Sequence, residues 1–170
     1  LHKNEFVAIC GPSGSGKSTL LNVICKQDTF DEGEIYYKGN ETAYFNVDDM
    51  DDFRKNKVGF IFQNYNIIES YTVLQNVMLP YELKGMPTKE AKKKALAIID
   101  EVGLHDKINN RGAELSGGQK QRCVIARALA FEPEILACDE PTGNLDSETG
   151  AEIMALIAKI AHDKLVLVVT

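Results

Sequence analysis

The chain has 170 residues, 44% of them hydrophobic and 26% charged, which is typical of one globular domain. Its net charge of −6 argues against a protein that binds nucleic acid by general electrostatic attraction. Purely apolar runs reach only about five residues, far below the ~20 that span a bilayer, and the first residues lack the pattern of a signal peptide. Any membrane association is therefore expected to come through a partner.

Residues 6–19 are predicted to form a strand, a glycine-rich loop and the start of a helix. After the apolar run that ends at Cys10, the loop and helix start comprise Gly11, Pro12, Ser13, Gly14, Ser15, Gly16, Lys17, Ser18 and Thr19. This is the G-x-x-x-x-G-K-S pattern of a phosphate-binding P-loop, in the context that the motif requires. Backbone N–H groups and the helix dipole would hold the phosphates, while Lys17 reaches the β- and γ-phosphates and Ser18 binds Mg²⁺. The segment predicts a nucleoside triphosphate site.

The elements up to Gln63 are predicted from local patterns. The P-loop helix continues to about residue 26, and residues 31–39 form a strand between turn glycines. Residues 48–56 are acidic at the start and basic at the end, which favours a short helix. Residues 57–62 form a buried strand that leads to Gln63.

Two helices are predicted at 73–84 and 88–102, separated by Gly85-Met86-Pro87. The second has an apolar stripe and an outward run of lysines, which is more typical of a solvated face than of a surface for an acidic partner. Pro80 should kink or end the first helix. Residues 64–113 are therefore expected to form a helical subdomain within an α/β core made by 1–63 and 114–170.

The last third of the chain returns to alternating elements. A helix is predicted from about 115 to 131, a strand at 135–138, a helix at 147–162 capped by Asp146 or Ser147, and a strand at 165–169. Strands that alternate with helices indicate a mainly parallel sheet. The predicted fold class is an α/β P-loop NTPase.

Asp139 and Glu140 follow the apolar strand at 135–138 and resemble a Walker B segment. The strand would carry Asp139 to the Mg²⁺ that Ser18 also contacts. Glu140 would then orient or deprotonate the attacking water. By itself, an Asp-Glu pair after a strand is a weak signal of a catalytic site. Downstream of a P-loop, the pair predicts the residues that bind the metal and activate water.

A second candidate anion site lies at the start of the next helix. Its residues are Leu115, Ser116, Gly117, Gly118 and Gln119. A serine and two glycines at a helix N-terminus present free N–H groups, although Ser116 could also be an ordinary N-cap. One domain would then carry two phosphate-binding surfaces, which makes sense if two copies meet head to tail.

With these motifs the sequence resembles the ATP-binding cassette (ABC) nucleotide-binding domain over essentially its whole length. Gln63 lies where that family has its Q-loop glutamine, and Leu115–Gln119 resembles its signature. Gly143, Asn144, Leu145 and Asp146 resemble its D-loop. The string from Asp139 to Ser147 is similar to the branch of macrolide-exporter, lipoprotein-releasing and antimicrobial-peptide-resistance transporters, which also includes a cell-division ATPase.

The resemblance implies an ATP-hydrolysing subunit that dimerises around two MgATP, with a small antiparallel β part beside the core. ATP would lie between the P-loop of one subunit and Ser116–Gly118 of the other. Gln63 would coordinate Mg²⁺ or water, and Glu140, Gln63 and Lys17 would be the catalytic residues. Residues 64–72 would dock a transmembrane permease, although their Tyr65, Ile67, Ile68 and Tyr71 could equally pack inside the domain. The expected place is the cytoplasmic face of a bacterial cell membrane.

The family also has an adenine-stacking aromatic residue upstream of the P-loop and a switch histidine after the strand that ends here near Thr170. Neither lies in this sequence, so a domain trimmed at both ends is expected, and a catalytically impaired ATP-binding fragment is one alternative. Another is a non-transport regulator of the cell-division type. A DNA-repair ATPase with a long inserted coiled coil is disfavoured by the short non-heptad stretch between Gln63 and Ser116.

The four cysteines form no C-x-x-C pair and no zinc spacing. They are Cys10, Cys25, Cys123 and Cys138. All lie in apolar stretches, so they are predicted to be reduced and buried.

Overall fold

The computed structural model describes residues 1–160 and 163–170. In chain order its strands and α-helices are β1 (Phe6–Ile9), α1 (Lys17–Ile24), β2 (Tyr36–Tyr37), β3 (Asn40–Glu41), α2 (Val47–Asp52), β4 (Val58–Ile61), α3 (Val73–Leu83), α4 (Thr88–Glu101), α5 (Gly117–Leu129), β5 (Ile135–Asp139), α6 (Ser147–Ile160) and β6 (Leu165–Val169). The predicted end of the last helix at His162 lies outside the described residues. No described helix has both the length and the apolar character that a membrane crossing requires.

Four parallel strands form the central sheet in the order β1-β6-β5-β4. In register, Val169 of β6 lies between Ile9 of β1 and Asp139 of β5, and Ile61 of β4 pairs with Cys138. Every residue of β6 is buried, as expected for a parallel strand that is covered on both faces. The carboxyl ends of all four strands therefore lie along one edge of the sheet.

Two apolar clusters cover the two faces of the sheet. Alternate residues of β5 and β6 belong to different clusters: Leu136 packs with the helices α3 to α6, while Ala137 and Leu167 pack with α1. Side chains of a strand point alternately to opposite faces, so this division is the consequence of an apolar run without polar interruption. The buried residues of α6 that belong to the first cluster are Ile153, Leu156, Ile157 and Ile160.

The small antiparallel part is a hairpin of two-residue strands. The predicted strand at 31–39 is reduced to Tyr36–Tyr37 because the chain reverses at once. Lys38 and Gly39 have φ values of 51° and 80°, the left-handed pair that makes a tight hairpin turn. The sequence showed the glycine, but not that the turn falls directly after Tyr37.

Glu134, just before β5, connects this hairpin to the sheet. Its carboxylate pairs with Lys38 Nζ over 2.6 Å and accepts hydrogen bonds from the Tyr37 hydroxyl at 2.8 Å and Lys57 Nζ at 3.1 Å. The hydrogen bond from Lys38 is the main cause that lowers the pKa of Glu134 to about 2.

The structure corrects the helix predicted at 48–56 and shows whether Pro80 ends the helix that contains it. The helix expected at 48–56 begins at Val47, with a capping box between Asn46 and Asp49, and its α-helical part ends at Asp52; a π-helical segment, Phe53–Lys57, completes the stretch. Pro80 does not end α3, which continues to Leu83. Proline removes a single N–H donor, and the buried face of α3, including Val77 and Tyr81, keeps the helix packed.

Candidate active site

The predicted site residues lie at the carboxyl edge of the sheet. The P-loop follows β1, Asp139 ends β5, and Gln63 comes shortly after β4. Because parallel strands end at the same edge, three segments far apart in sequence meet there. The backbone of Thr170 donates to Ile9 O at 3.2 Å, which continues the β1–β6 pairing into this edge.

The P-loop curls from the end of β1 into α1. Gly14 and Gly16 have φ values of 78° and 86°, which side-chain-bearing residues rarely adopt, and Gly16 is the N-cap of α1. Lys17 Nζ donates to the carbonyls of Gly11 at 2.8 Å and Pro12 at 3.0 Å, so the ammonium group is held over the loop. The loop from Gly11 to Gly16 is exposed. It presents a cation and a helix N-terminus toward solvent, as an anion site requires.

Ser18 and Asp139 meet across the sheet. Ser18 Oγ donates to Asp139 Oδ1 over 2.7 Å, although the two residues lie 121 positions apart. These are hard oxygen donors, the kind that Mg²⁺ prefers, and Mg²⁺ is usually bound through one or two carboxylates together with substrate phosphate and water. Within the described residues no cluster of three or more His, Cys, Asp or Glu forms a metal site. The pair thus fits a metal that arrives with a phosphate substrate.

Glu140 has a left-handed backbone with φ 46°. Its N–H donates to Val169 O at 3.0 Å, and its carbonyl accepts from Gly143 N at 3.1 Å. A non-glycine residue in this region carries strain that the surrounding bonds must hold. The turn redirects the chain directly after Asp139, so Asp139 and Glu140 are not placed as successive residues of a strand.

Gln63 lies against the turn that follows β5. Asn144 Nδ2 donates to the backbone carbonyl of Gln63 at 2.9 Å. A Cβ on Gly143 would lie 2.8 Å from Gln63 Nε2 and 3.4 Å from Glu140 Oε2. The structure therefore brings together Gln63, Glu140 and the predicted D-loop within one chain.

The predicted signature begins α5. Ser116 is the N-cap: its Oγ accepts from Gln119 N at 3.4 Å, and Gln119 Oε1 accepts from Ser116 N at 3.0 Å, which is a capping box. Leu115 is buried in the apolar core, whereas Ser116 is exposed. No hydrogen bond among the described residues joins this segment to the P-loop. Its helix start is thus separate from the hydrogen bonds of the P-loop of its own chain, and its role as an anion site stays a prediction.

Both signature glycines are in close contact with neighbouring segments. A Cβ on Gly118 would lie 2.6 Å from Thr149 Cγ2 of α6. A Cβ on Gly117 would lie 3.1 Å from the Tyr65 hydroxyl and 3.2 Å from Leu145 Cδ2. Packing therefore disfavours a side chain at both positions, most strongly at Gly118.

Asp146 is the last residue of the predicted D-loop, and it caps α6. Its carboxylate accepts from the Thr149 N–H at 2.9 Å and the Thr149 hydroxyl at 2.7 Å, and from the Glu148 N–H at 3.1 Å. The bond from the Thr149 backbone is the largest cause that lowers the pKa of Asp146. Asp146 thus acts as the N-cap that the sequence suggested.

The segment after Gln63 is partly interior. Tyr65 and Ile67 are half-buried against the core, and Tyr71 is exposed. Tyr65 and Asn66 have φ values of 57° and 51°, and Arg127 of α5 donates to the Asn66 carbonyl at 2.8 Å. Tyr65 and Ile67 therefore pack inside the domain, and the docking of a partner on this segment stays a prediction.

Asn76 is a structural residue of this region that sequence reasoning missed. It is fully buried, and its amide bonds Ile68 N and Ile68 O, both at 3.0 Å, and Thr72 O, also at 3.0 Å. A polar residue within the apolar stripe of α3 was the available signal, because buried amides are normally hydrogen-bonded.

The cysteine prediction is wrong for one residue. Cys10 is exposed beside the P-loop, because the chain leaves the sheet at that point. The other three cysteines are buried, and burial raises the pKa of Cys25 and Cys123 to about 12. Burial also raises the pKa of Cys138, next to Asp139, so that thiol stays protonated.

A parallel sheet with a P-loop after its edge strand and an acidic residue facing the P-loop serine defines a P-loop nucleoside triphosphatase. The family model for ABC transporters matches residues 1–143, and the chain belongs to that family. The expected fold class, the ATPase class and the role as the ATP-binding subunit of such a transporter are thereby confirmed.

Two relatives and one solved structure illustrate what this chain is similar to. The chain is 46% identical over 158 residues to the lipoprotein-releasing system ATP-binding protein LolD of Aquifex aeolicus, covering 93% of this chain and 70% of that protein. It is 44% identical to the macrolide export ATP-binding/permease protein MacB of Aggregatibacter actinomycetemcomitans, covering 96% of this chain and 25% of that protein. A dimeric ATP-binding cassette in a post-hydrolysis state with ADP and Pi, from Methanocaldococcus jannaschii, matches with a TM-score of 0.86 and 44% identity, covering 99% of this chain and 75% of that one. These names confirm the predicted branch.

Proposed function

We propose that this chain hydrolyses ATP between two copies of itself, or with a paired ABC domain, and that this cycle drives a membrane transporter. The observation that carries the proposal is the 2.7 Å bond between Ser18 of the P-loop and Asp139 at the end of β5. It joins a phosphate-binding loop to an acidic residue at the carboxyl edge of the sheet, which is the arrangement of a MgATP site.

The P-loop is proposed to bind the triphosphate. Backbone N–H groups of residues 11–19 would surround the phosphates, and Lys17 would exchange its bonds to the Gly11 and Pro12 carbonyls for the β- and γ-phosphates. Ser18, Asp139 and Gln63 would hold Mg²⁺, which when bound neutralises phosphate charge. The exposed loop supports this role because a nucleotide can reach it without rearrangement of the core.

Glu140 is proposed as the residue that orients or deprotonates the attacking water. Its carboxylate and the Gln63 amide both flank Gly143, so two polar groups lie together at the turn that follows Asp139. Such preorganised groups act by positioning the nucleophile and receiving its proton.

A second copy is proposed to complete the site. The start of α5 presents Ser116, Gly117 and Gly118 outside the P-loop of its own chain. The Ser116 N–H is already bonded to Gln119 Oε1, so the Gly117 and Gly118 N–H groups are the donors proposed for the phosphate. In the dimer these would meet the γ-phosphate bound to the partner, next to Asn144, Leu145 and Asp146. The relative with ADP and Pi is described as a dimer, which supports this arrangement.

The membrane partner is proposed to dock on residues 64–72. Tyr71 is exposed there, and the segment follows Gln63 directly. A movement of Gln63 on nucleotide binding would therefore be transmitted to an exposed surface only a few residues away. We also propose that residues 64–113, with α3 and α4, form the lobe that carries this surface beside the core of 1–63 and 114–170. The similar proteins LolD and MacB are named for lipoprotein release and macrolide export, which favours transport and a place on the cytoplasmic face of the membrane.

The test is Glu140→Gln in the full chain, measured by ATP hydrolysis and by light scattering after size exclusion, with and without MgATP. We expect binding to persist, turnover to stop and MgATP to convert the variant from monomer to dimer. Glu148→Gln is the matched control, because Glu148 is exposed on α6 and lies outside the site. If Glu140→Gln hydrolysed ATP at the wild-type rate, Glu140 would lose the assigned role; a persistent monomer that binds ATP would remove the role of Ser116–Gly118 in trans.

A further inference from the structure

Gly143 and Asn144, in the turn after β5, both contact Gln63. The Asn144 side-chain amide donates to the Gln63 backbone carbonyl over 2.9 Å. A Cβ on Gly143 would lie only 2.8 Å from Gln63 Nε2, closer than real Cβ atoms approach. Asn144 therefore holds the main chain of Gln63, and Gly143 leaves the space that the Gln63 side chain occupies.

Glu140 shares the same space. Its Oε2 would lie 3.4 Å from the Gly143 Cβ position, so the Gln63 amide and the Glu140 carboxylate both flank the bare Cα of Gly143. The turn is closed by the bond from Gly143 N to Glu140 O at 3.1 Å, and Glu140 is itself fixed to β6 through Val169 O. The turn is thus anchored to the sheet and can serve as a support for Gln63.

We propose that Asn144 is a positioning residue that holds Gln63 beside Glu140 within a single subunit, with Gly143 leaving room for the Gln63 side chain. The inference rests on the proposed function, because it concerns the same hydrolysis. Asn144 touches neither phosphate nor metal in this role and acts only through Gln63. Its amide is engaged in the single chain already, so its effect does not require contact with a second copy.

The expected signature is a loss of turnover without a loss of ATP binding. Without the Asn144 bond, Gln63 remains attached to β4 but its amide is free to leave Glu140. The P-loop contacts are unchanged, so KM for ATP should stay within about twofold while kcat falls about fivefold to tenfold, the usual effect of one lost hydrogen bond.

The experiment is a cycle in the full chain of Asn144→Ala and Gln63→Ala, each alone and together. Asn144→Asp keeps the shape of the side chain and removes the donor, so it should lose as much kcat as Asn144→Ala. Once Gln63 is alanine, removing Asn144 should change kcat by less than about twofold, because the group that it positions is gone. Glu148→Gln again serves as the control, with unchanged kcat.

An equal fall in kcat from Asn144→Ala in both backgrounds would overturn the inference, because Asn144 would then act independently of Gln63. Absence of any turnover in the wild-type chain would count against the proposed function instead. In that event NMR of the Gln63 side-chain amide, assigned by its loss in Gln63→Ala, decides the positioning role. Asn144→Asp must shift this resonance and Glu148→Gln must not; an unshifted resonance in Asn144→Asp would overturn the inference.

Discussion

Replacing Gly118 by alanine is expected to destabilise the fold, because the new methyl group would collide with α6. The Cβ would lie 2.6 Å from Thr149 Cγ2, where contacts under 3.0 Å require something to shift. Forcing a methyl group into a packed contact costs about 1–3 kcal/mol. The better helix propensity of alanine offsets up to about 1 kcal/mol of this. The free energy of unfolding should therefore fall by about 1–2 kcal/mol.

Thr149→Ser is the matched second change. Serine keeps the hydroxyl that donates to Asp146 Oδ2 at 2.7 Å and removes only the colliding methyl group. Alone it should cost less than about 0.8 kcal/mol, the value of one buried methylene. In its presence Gly118→Ala should no longer destabilise the fold and should gain up to about 1 kcal/mol from helix propensity. The coupling energy of the two changes should therefore equal the cost of the collision, about 1–3 kcal/mol.

The assay is urea unfolding of the wild type, both single variants and the double variant, without nucleotide. For a chain of this size each kcal/mol corresponds to about 2–4 °C in Tm, so a thermal scan checks the same order of stabilities. An equally stable Gly118→Ala variant, or a double variant that is no more stable than Gly118→Ala, would refute the described packing of α5 on α6.

Two further outcomes are expected. Glu134→Gln should lower the free energy of unfolding by about 1 kcal/mol at pH 7, a value discounted for a side chain that is 39% exposed. Because the folded pKa of Glu134 is about 2 and its ordinary value 4.5, this difference should persist above pH 4.5 and vanish as the pH falls toward 2, which urea titrations over that range would check. Cys10 should react with a thiol reagent in the folded chain and the three buried cysteines only after unfolding; labelling of all four in the folded chain would contradict this.

Much of the fold could be predicted because it depends on local patterns. The apolar run at 165–169 is bounded by polar residues, and β6 has those bounds. The contact between Ser18 and Asp139 follows from two motifs that end parallel strands of one sheet. In both cases the information lies within a few neighbouring residues and a general rule of strand order.

The remainder depends on distances between segments that no local pattern encodes. Asn144 and Gln63 are 81 positions apart, and their hydrogen bond could not be inferred from either motif. The need for glycine at 118 comes from the approach of α6 rather than from the helix that contains it. Cys10 follows an apolar strand yet is exposed, because burial depends on what covers the end of that strand.

The β2–β3 hairpin is attached to the sheet through Glu134 and through the Tyr37 ring, which packs against Phe53 of the second cluster, and its own strands pair over two residues each. β5 and β6, in contrast, are buried within the two cores. Backbone amides of the hairpin should therefore exchange with solvent through a local opening that leaves the sheet intact, whereas those of β6 should require global unfolding. The chain is therefore expected to contain two cooperative units of very different lifetime, and the hairpin, held by few contacts, is the less stable one.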